Sequence, residues 1–382
     1  MVWMMNQNKS QVIVVKNYNQ HNLVNFSNSI LKHFGVNPFH ETEEAIDKAL
    51  KNHKKVALVL FDGMGRNIVR KHLDEKSFIR KNYLCTINST FPPTTTAATT
   101  AFLTGKYPIE TGWMSWAQYF EKYQRNIILF KNTDYNTEEK VLPEHIADTE
   151  LPVKTIFDLI NKNNEDVHAF DVRRFPIDQD GPKTLKTFEK RINKALKGLK
   201  KGVIYFYFDS PDREMHGYGI NCQRVHNYVT KINDMMERVC EQNKDTLFFT
   251  LADHGHINVK FLDMCDHEDL HSLLRAPISF EKRTPTFFVK EGKKDLFAEL
   301  FKKYYGEHFI LMTKQEALDS KIFGEGTPHP KAESFLGDFV ATSIDKYCLF
   351  ASKEMKRVDI FKGHHAGNTV EEMQIDVSAY NV

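Results

Sequence analysis

A small set of residues in this chain can bind a metal or carry a proton, and they fall at recurring places. Asp62 closes the run VALVLFD, and Asp212 and His216 stand four apart in SPDREMHGYG. Asp253 and His254 end TLFFTLADHG, and His364 and His365 lie beside glycines in FKGHHAGN. A spacing of four puts Asp212 and His216 on one side of a helical turn. Mixed carboxylate and imidazole sets suit Zn2+ or a related first-row ion such as Mn2+. A hydroxyl is available in STFPPTTTAATTAFLTGKYP, Ser89–Pro108, where three threonines follow a proline pair. Proline cannot sit inside a helix and pushes its predecessor out of the α region, so a helix begins only after Pro93. Gly105 is placed to stop it. A threonine at that start is either an N-cap or a nucleophile held where free N–H groups favour an anion. Threonine attacks poorly unless its proton is taken. Two metals about 4 Å apart do that, and they also clamp the attacking and leaving oxygens of an in-line phosphoryl displacement.

Some scaffold must bring these residues together. KVALVLFDG (Lys55–Gly63), GVIYFYFDSPD (Gly202–Asp212) and TLFFTLADHG (Thr246–Gly255) are short runs of β-branched and aromatic residues, each ending in an acid. Such runs predict strands buried on both faces, as in a parallel sheet. TIFDLINKNN, TLKTFEKRINKALKGLKKG and QRVHNYVTKINDMMERVCEQN have helical spacing and alternate with them. Alternation implies βαβ units, whose ligands bind beyond the carboxyl ends of the strands. The acidic ends therefore converge on one edge. After Gly255 the pattern becomes strand, helix, strand in TPTFFVKEGKKDLFAELFKKYYGEHFILMTKQEAL, and GDFVATSIDKYCLFA adds one or two strands. The expected division is a catalytic core of 1–257 and 353–382 with an inserted, cap-like α+β lobe at 258–352. Asp209 and the stretch DMCDHEDLH, with Asp263, Asp266, His267 and His271, look ligand-like. That stretch lies outside the strand-end pattern and reads as a loop or helix start.

Composition removes several classes. Among 382 residues, 52 Lys+Arg balance 50 Asp+Glu, so no one-sided basic field predicts nucleic-acid binding. Five scattered cysteines contain no C-x-x-C pair and do not read as a disulfide framework. MVWMMNQNKSQVIVVKNYNQ lacks a basic region followed by an apolar one, and no run approaches the roughly 20 apolar residues that span a bilayer. The expectation is a cytoplasmic protein with no membrane segment.

The ordered motifs FDG, FPPTTTAATTAFLTG, PDREMH, ADHG and GHHAG resemble the type I phosphodiesterase/nucleotide pyrophosphatase branch of the alkaline phosphatase superfamily. The likeness runs from about Lys55 to the end of the chain. It implies a three-layer α/β/α fold around a mostly parallel sheet, and a site for two divalent metals, usually zinc. It also implies a small phosphoester substrate, a phosphodiester or nucleotide pyrophosphate. By it, Asp62, Asp253 and His254 hold the metal that activates the nucleophile, which the nucleophile itself also meets. Asp212, His216 and His365 hold the other metal. The family's nucleophile stands ten residues before the glycine of a closing Thr-Gly pair, which points to Thr95, with Thr94 and Thr90 as alternatives. His256 and His364, adjacent to these ligands, are candidates to orient phosphate or a ligand imidazole. Ala98 stands where many members carry an asparagine that contacts phosphate. TGWMSWAQYF supplies Trp113 and Trp116, which either stack on a flat leaving group or pack the core. The alternatives are a phosphomonoesterase or phosphonate hydrolase on the same metals, and a non-catalytic metal-stabilised binding protein.

Overall fold

The computed structural model describes residues 19–140, 144–164, 166–172, 182–356 and 360–382, so the opening segment of the chain lies outside the described residues. At its centre is a six-stranded sheet. Its strands are β1 (Lys55–Phe61), β2 (Tyr83–Asn88), β3 (His168–Val172), β4 (Gly202–Phe208), β5 (Leu247–Leu251) and β6 (Gln374–Tyr380). They lie in the order β2-β6-β5-β1-β4-β3. The three apolar runs are thus adjacent strands, parallel and in register, with Leu58 beside both Tyr205 and Phe249. β3 is parallel to β4, and β6 runs antiparallel to both its neighbours.

Both faces are covered, which is why these runs contain almost no polar residue. On the face carrying Tyr205 and Phe249, Phe26, Phe102 and Phe157 pack from helices Leu23–His33, Thr95–Thr104 and Ile156–Asn163. On the alternate face, Phe188 of helix Leu185–Gly198 meets Phe206 and Phe208, and helix Gln223–Gln242 lies against it. The result is the expected three-layer α/β/α arrangement. Helix Thr95–Thr104 starts after Pro93 with Thr94 at its N-cap, and ends at Gly105 with φ +67°, a left-handed turn suited to glycine. Among the described residues no helix is long and apolar enough to cross a membrane.

Between β5 and β6 the chain forms a four-stranded antiparallel sheet. Its order is Ser279–Glu281, Thr284–Phe287, Phe339–Ser343, Phe309–Thr313. Phe297 and Phe301 of helix Lys294–Tyr305 pack on Phe287, with Phe309 and Phe339 in the same cluster. Phe280, Phe323, Phe335 and Val340 belong to a second cluster with Phe91, Ile109 and Phe120, so this sheet is packed on the segments that flank the threonine helix. DMCDHEDLH forms a 3-10 turn and a short helix, where His271 bonds Glu354 at 2.9 Å and His267 stacks on Tyr304.

One buried ion pair ties this sheet to the C-terminal histidine loop. Arg283 is fully buried; its Nε and Nη2 donate to Glu372 at 2.5 and 2.8 Å, and its other bonds go to the carbonyls of Tyr347 and Asp345. Glu372 also accepts from the Gly367 amide and the Thr369 hydroxyl. Removing one member of such a pair leaves an uncompensated buried charge. Arg283→Met is expected to cost about 3–5 kcal/mol in urea unfolding, and Arg283→Met with Glu372→Met to recover much of that. Equal stability of the single and double variants would contradict the pairing argument.

Candidate metal centre and nucleophile

The strand ends are joined before any side chain is considered. The Asp62 amide donates to the Phe208 carbonyl and the Asp212 amide to the Asp62 carbonyl, both at 3.0 Å. Gly63, at φ +70°, lets the two segments close: a Cβ there would stand 2.9 Å from Asp212 Cβ. Asp253 Oδ1 accepts from the amides of Gly63 and His254, each at 3.0 Å, while its Oδ2 is buried without a hydrogen-bond partner. Helix Asp212–Tyr218 carries Asp212 and His216 on one side, with Nε2 3.2 Å from Asp212 Oδ2.

The imidazoles are oriented by backbone carbonyls. His254 Nδ1 lies 2.9 Å from the Gly255 carbonyl, His216 Nδ1 3.0 Å from that of Gly363, and His365 Nδ1 3.0 Å from that of Pro93. A carbonyl only accepts, so each Nδ1 is the donor and each Nε2 is left facing the carboxylates, free to take a metal or a proton. His254 Nε2 is 3.4 Å from Asp62 Oδ1 and 3.6 Å from Asp253 Oδ2; His365 Nε2 is 3.7 Å from Asp212 Oδ1. Thr95 Oγ1 joins the first of these groups, 3.4 Å from both Asp62 oxygens and 3.3 Å from His254 Nε2. Thr94 turns away and donates to Glu281 at 2.6 Å, and the buried Thr90 hydroxyl has no hydrogen-bond partner among the described residues.

Among the described residues three groups have donor atoms within 4.8 Å of one another: Asp62/Asp253/His254, Asp212/His216/His256 and Asp212/His254/His365. All the sequence-derived ligands therefore meet at one edge of the sheet. One detail differs from the resemblance. His256 groups with Asp212 and His216, whereas His365 stacks on His254 at 3.9 Å and lies between the two ends of the site.

The electrostatics ask for cations. Burial pushes the Asp253 carboxyl up to about 7. Burial, with the charges of Asp253 and Asp212, raises Asp62 well above the usual carboxylate range. Burial would raise Asp212 too, but the His216 charge and the close approach of the His216 and His256 imidazoles hold it well below that range. His216 is raised by Asp212 against its own burial. Burial holds His364 and His365 neutral, the form in which imidazole binds metal. Among the described residues the ion-pair partners of these three aspartates are histidines alone. Buried, unpartnered carboxylate oxygens facing imidazole lone pairs fit divalent cations.

Other residues emerge only in three dimensions. The Tyr207 hydroxyl donates to Asp62 Oδ2, from a position on β4 beside Leu60. Glu281 Oε1 accepts from Thr94 and, at 3.2 Å, from the Trp116 amide. Trp113 is a core residue: it is buried against Phe130 and its Nε1 donates to the Leu151 carbonyl at 2.9 Å. Stacking on a leaving group is thereby excluded for Trp113, while Trp116 stays half-buried beside Glu281. Ala98 packs in the main core and supplies no polar contact.

The mostly parallel sheet, with carboxylates, imidazoles and a helix-start hydroxyl gathered at its carboxyl edge, matches the three-layer fold of the alkaline phosphatase superfamily. More narrowly, the family model of type I phosphodiesterase/nucleotide pyrophosphatase matches residues 56–368. The chain belongs to that family, whose members are metal-dependent hydrolases of phosphoesters. Solved structures share the fold. Murine ectonucleotide pyrophosphatase/phosphodiesterase 5, in an inactive form in complex with AMP, is 16% identical with TM-score 0.64, covering 86% of this chain and 88% of that one. The human protein of the same name is 14% identical with TM-score 0.64 and the same coverage. No curated protein matches the chain.

Proposed function

We propose that this chain hydrolyses phosphodiesters or nucleotide pyrophosphates through a phosphorylated Thr95 beside two divalent cations. Asp62, Asp253 and His254, together with Thr95, would hold one; Asp212, His216 and His365 would hold the other. The observation that carries the proposal is the Thr95 hydroxyl, at a helix start and 3.3 Å from His254 Nε2. When bound, Zn2+ or Mn2+ would ease loss of the threonine proton and neutralise charge on the phosphoryl oxygens. Thr95 Oγ1 then attacks phosphorus in line, and the bond to the leaving oxygen breaks. The free amides at the start of the helix favour the anionic phosphoryl group. Tyr207 holds Asp62 in place throughout. Water next displaces Thr95 from phosphorus, returning the hydroxyl and releasing the phosphate product.

A nucleotide substrate is supported by the AMP bound to the murine relative and by half-buried Trp116 near the helix start. Glu281 supports a diester over a monoester, because its carboxylate sits on Thr94, next to the place where phosphate must bind. Burial raises the Glu281 carboxyl, and where it is ionised a dianionic monoester meets more repulsion there than a singly charged diester. The 258–352 segment, which contributes Glu281, is read as the cap. A cytoplasmic location goes with five unpaired cysteines and is checked by cell fractionation.

The direct test compares rates on a monoester and a diester bearing the same leaving group, before and after chelation. The expected outcome is faster diester turnover that chelator abolishes and Zn2+ or Mn2+ restores. Faster monoester turnover would favour the phosphomonoesterase alternative, and no turnover with both cations bound would leave a binding protein.

A further inference from the structure

We propose that His256 is itself a protein ligand of the cation held by Asp212 and His216, an assignment that rests on the two-metal reading above. Its imidazole is fully buried, and among the described residues neither ring nitrogen has a hydrogen-bond partner. Buried polar groups in folded chains are nearly always partnered, so such a ring calls for a ligand. Nε2 lies 3.2 Å from Asp212 Oδ1, at ion-pair distance but off the hydrogen-bond direction, and that oxygen is also buried without a hydrogen bond.

The spacing matches a shared ion. Donors each about 2.0–2.2 Å from one tetrahedral cation stand roughly 3.3–3.6 Å from each other. Asp212 presents one oxygen 3.2 Å from His256 Nε2 and its other oxygen 3.2 Å from His216 Nε2. The His216 and His256 rings are 4.8 Å apart and inclined at 73°, so they converge on one region without overlapping. His365, with Nε2 3.7 Å from Asp212 Oδ1, groups with Asp212 and His254, so His256 adds to the ligands proposed for this cation without displacing His365.

The backbone holds the ring there. His256 immediately precedes Ile257–Asn258, which pairs antiparallel with Gly363–His364, and Asn67 donates to the His256 carbonyl at 2.7 Å. A Cβ at Gly363 would stand 2.9 Å from both Nδ1 and Cε1 of His256 and 2.8 Å from the Met215 carbonyl oxygen. A glycine is therefore what lets the imidazole lie flat against this pair of strands. The consequence is chemical asymmetry: one cation is held mainly by carboxylates, and the other by one carboxylate and three imidazoles. Nitrogen-rich sets favour zinc over manganese, so the Asp212 cation is the one that resists exchange.

The test counts and titrates metal rather than activity. Wild type and His256→Gln, both checked for native circular dichroism, are loaded with Zn2+, freed of excess and titrated with a competing chelator. Wild type is expected to hold two ions, and His256→Gln to bind one of them at least roughly tenfold more weakly while the other is unchanged. As a check that needs no variant to fold, cadmium-loaded wild type with labelled histidine should show metal–nitrogen coupling at His256 by NMR. Two ions in wild type, unchanged affinities in His256→Gln and no coupling at His256 would overturn this inference alone. Fewer than two ions in wild type would sink the two-metal reading and this inference together.

Discussion

Thr95→Ala is expected to reduce turnover on the order of 10⁴-fold or more while leaving both cations bound. In the proposed mechanism the hydroxyl supplies the attacking oxygen, whereas carboxylates and imidazoles supply most of the metal affinity. Neighbouring threonines should behave differently because successive residues at a helix start point in different directions. Thr94 donates to Glu281, so Thr94→Ala should change rate less than about tenfold, with its main effect on how Glu281 meets substrate. Single-turnover kinetics and metal analysis on the three variants separate these cases. Near-normal Thr95→Ala with a dead Thr94→Ala or Thr90→Ala would move the nucleophile and keep the mechanism. Activity in all of them would mean that water attacks phosphorus directly.

Asp62, Asp212 and Asp253 were legible in the sequence because β1, β4 and β5 are buried on both faces, and so consist of unbroken apolar runs with visible ends. The helix from Thr95 was legible because Pro93 and Gly105 bracket it, whereas the preference for Thr95 over Thr94 and Thr90 came from the family resemblance alone. β6 was harder to see: QIDVSAY alternates polar and apolar residues, yet its Asp376 and Ser378 side chains are buried and hydrogen-bonded. Asp376 pairs with Arg70 at 2.9 Å and accepts from Thr86, and Ser378 donates to the Ile79 carbonyl. Glu281 lies 187 residues from Thr94 in a separate sheet, and no local pattern marks a single glutamate as active-site facing. His256 next to ADHG suggested a supporting role; that it groups with Asp212 and His216 depends on how the Ile257–Asn258 strand pairs with Gly363–His364. Trp113 was ambiguous because the same side chain serves a core and a stacking surface, and only its bond to Leu151 decides between them.

Metal affinity should fall steeply as the solution is acidified below neutrality. In the metal-free chain Asp253 titrates at about 7, because burial penalises its charged form, and Asp62 is raised for the same reason and by its acidic neighbours. A cation entering their group must displace those protons. At the other end Asp212 is already ionised, but the proton then resides on His216, whose raised pKa makes it a second competitor for the metal. His256, lowered to about 4, and His365 stay neutral and add no such cost. The sign follows from linkage. For Asp253, between the unfolded carboxyl value of about 4 and the folded value of about 7, the stripped native chain binds more protons than the unfolded one, so this group removes stability as pH rises. A bound cation holds the carboxylate ionised and cancels that loss. The gap in Tm between loaded and stripped protein should therefore widen as pH rises through this window. Chelator competition between about pH 5.5 and about pH 8 should give an affinity that drops about tenfold per unit for each proton displaced. An affinity that stays flat across that range would show that these carboxylates are not the ones that bind the metal.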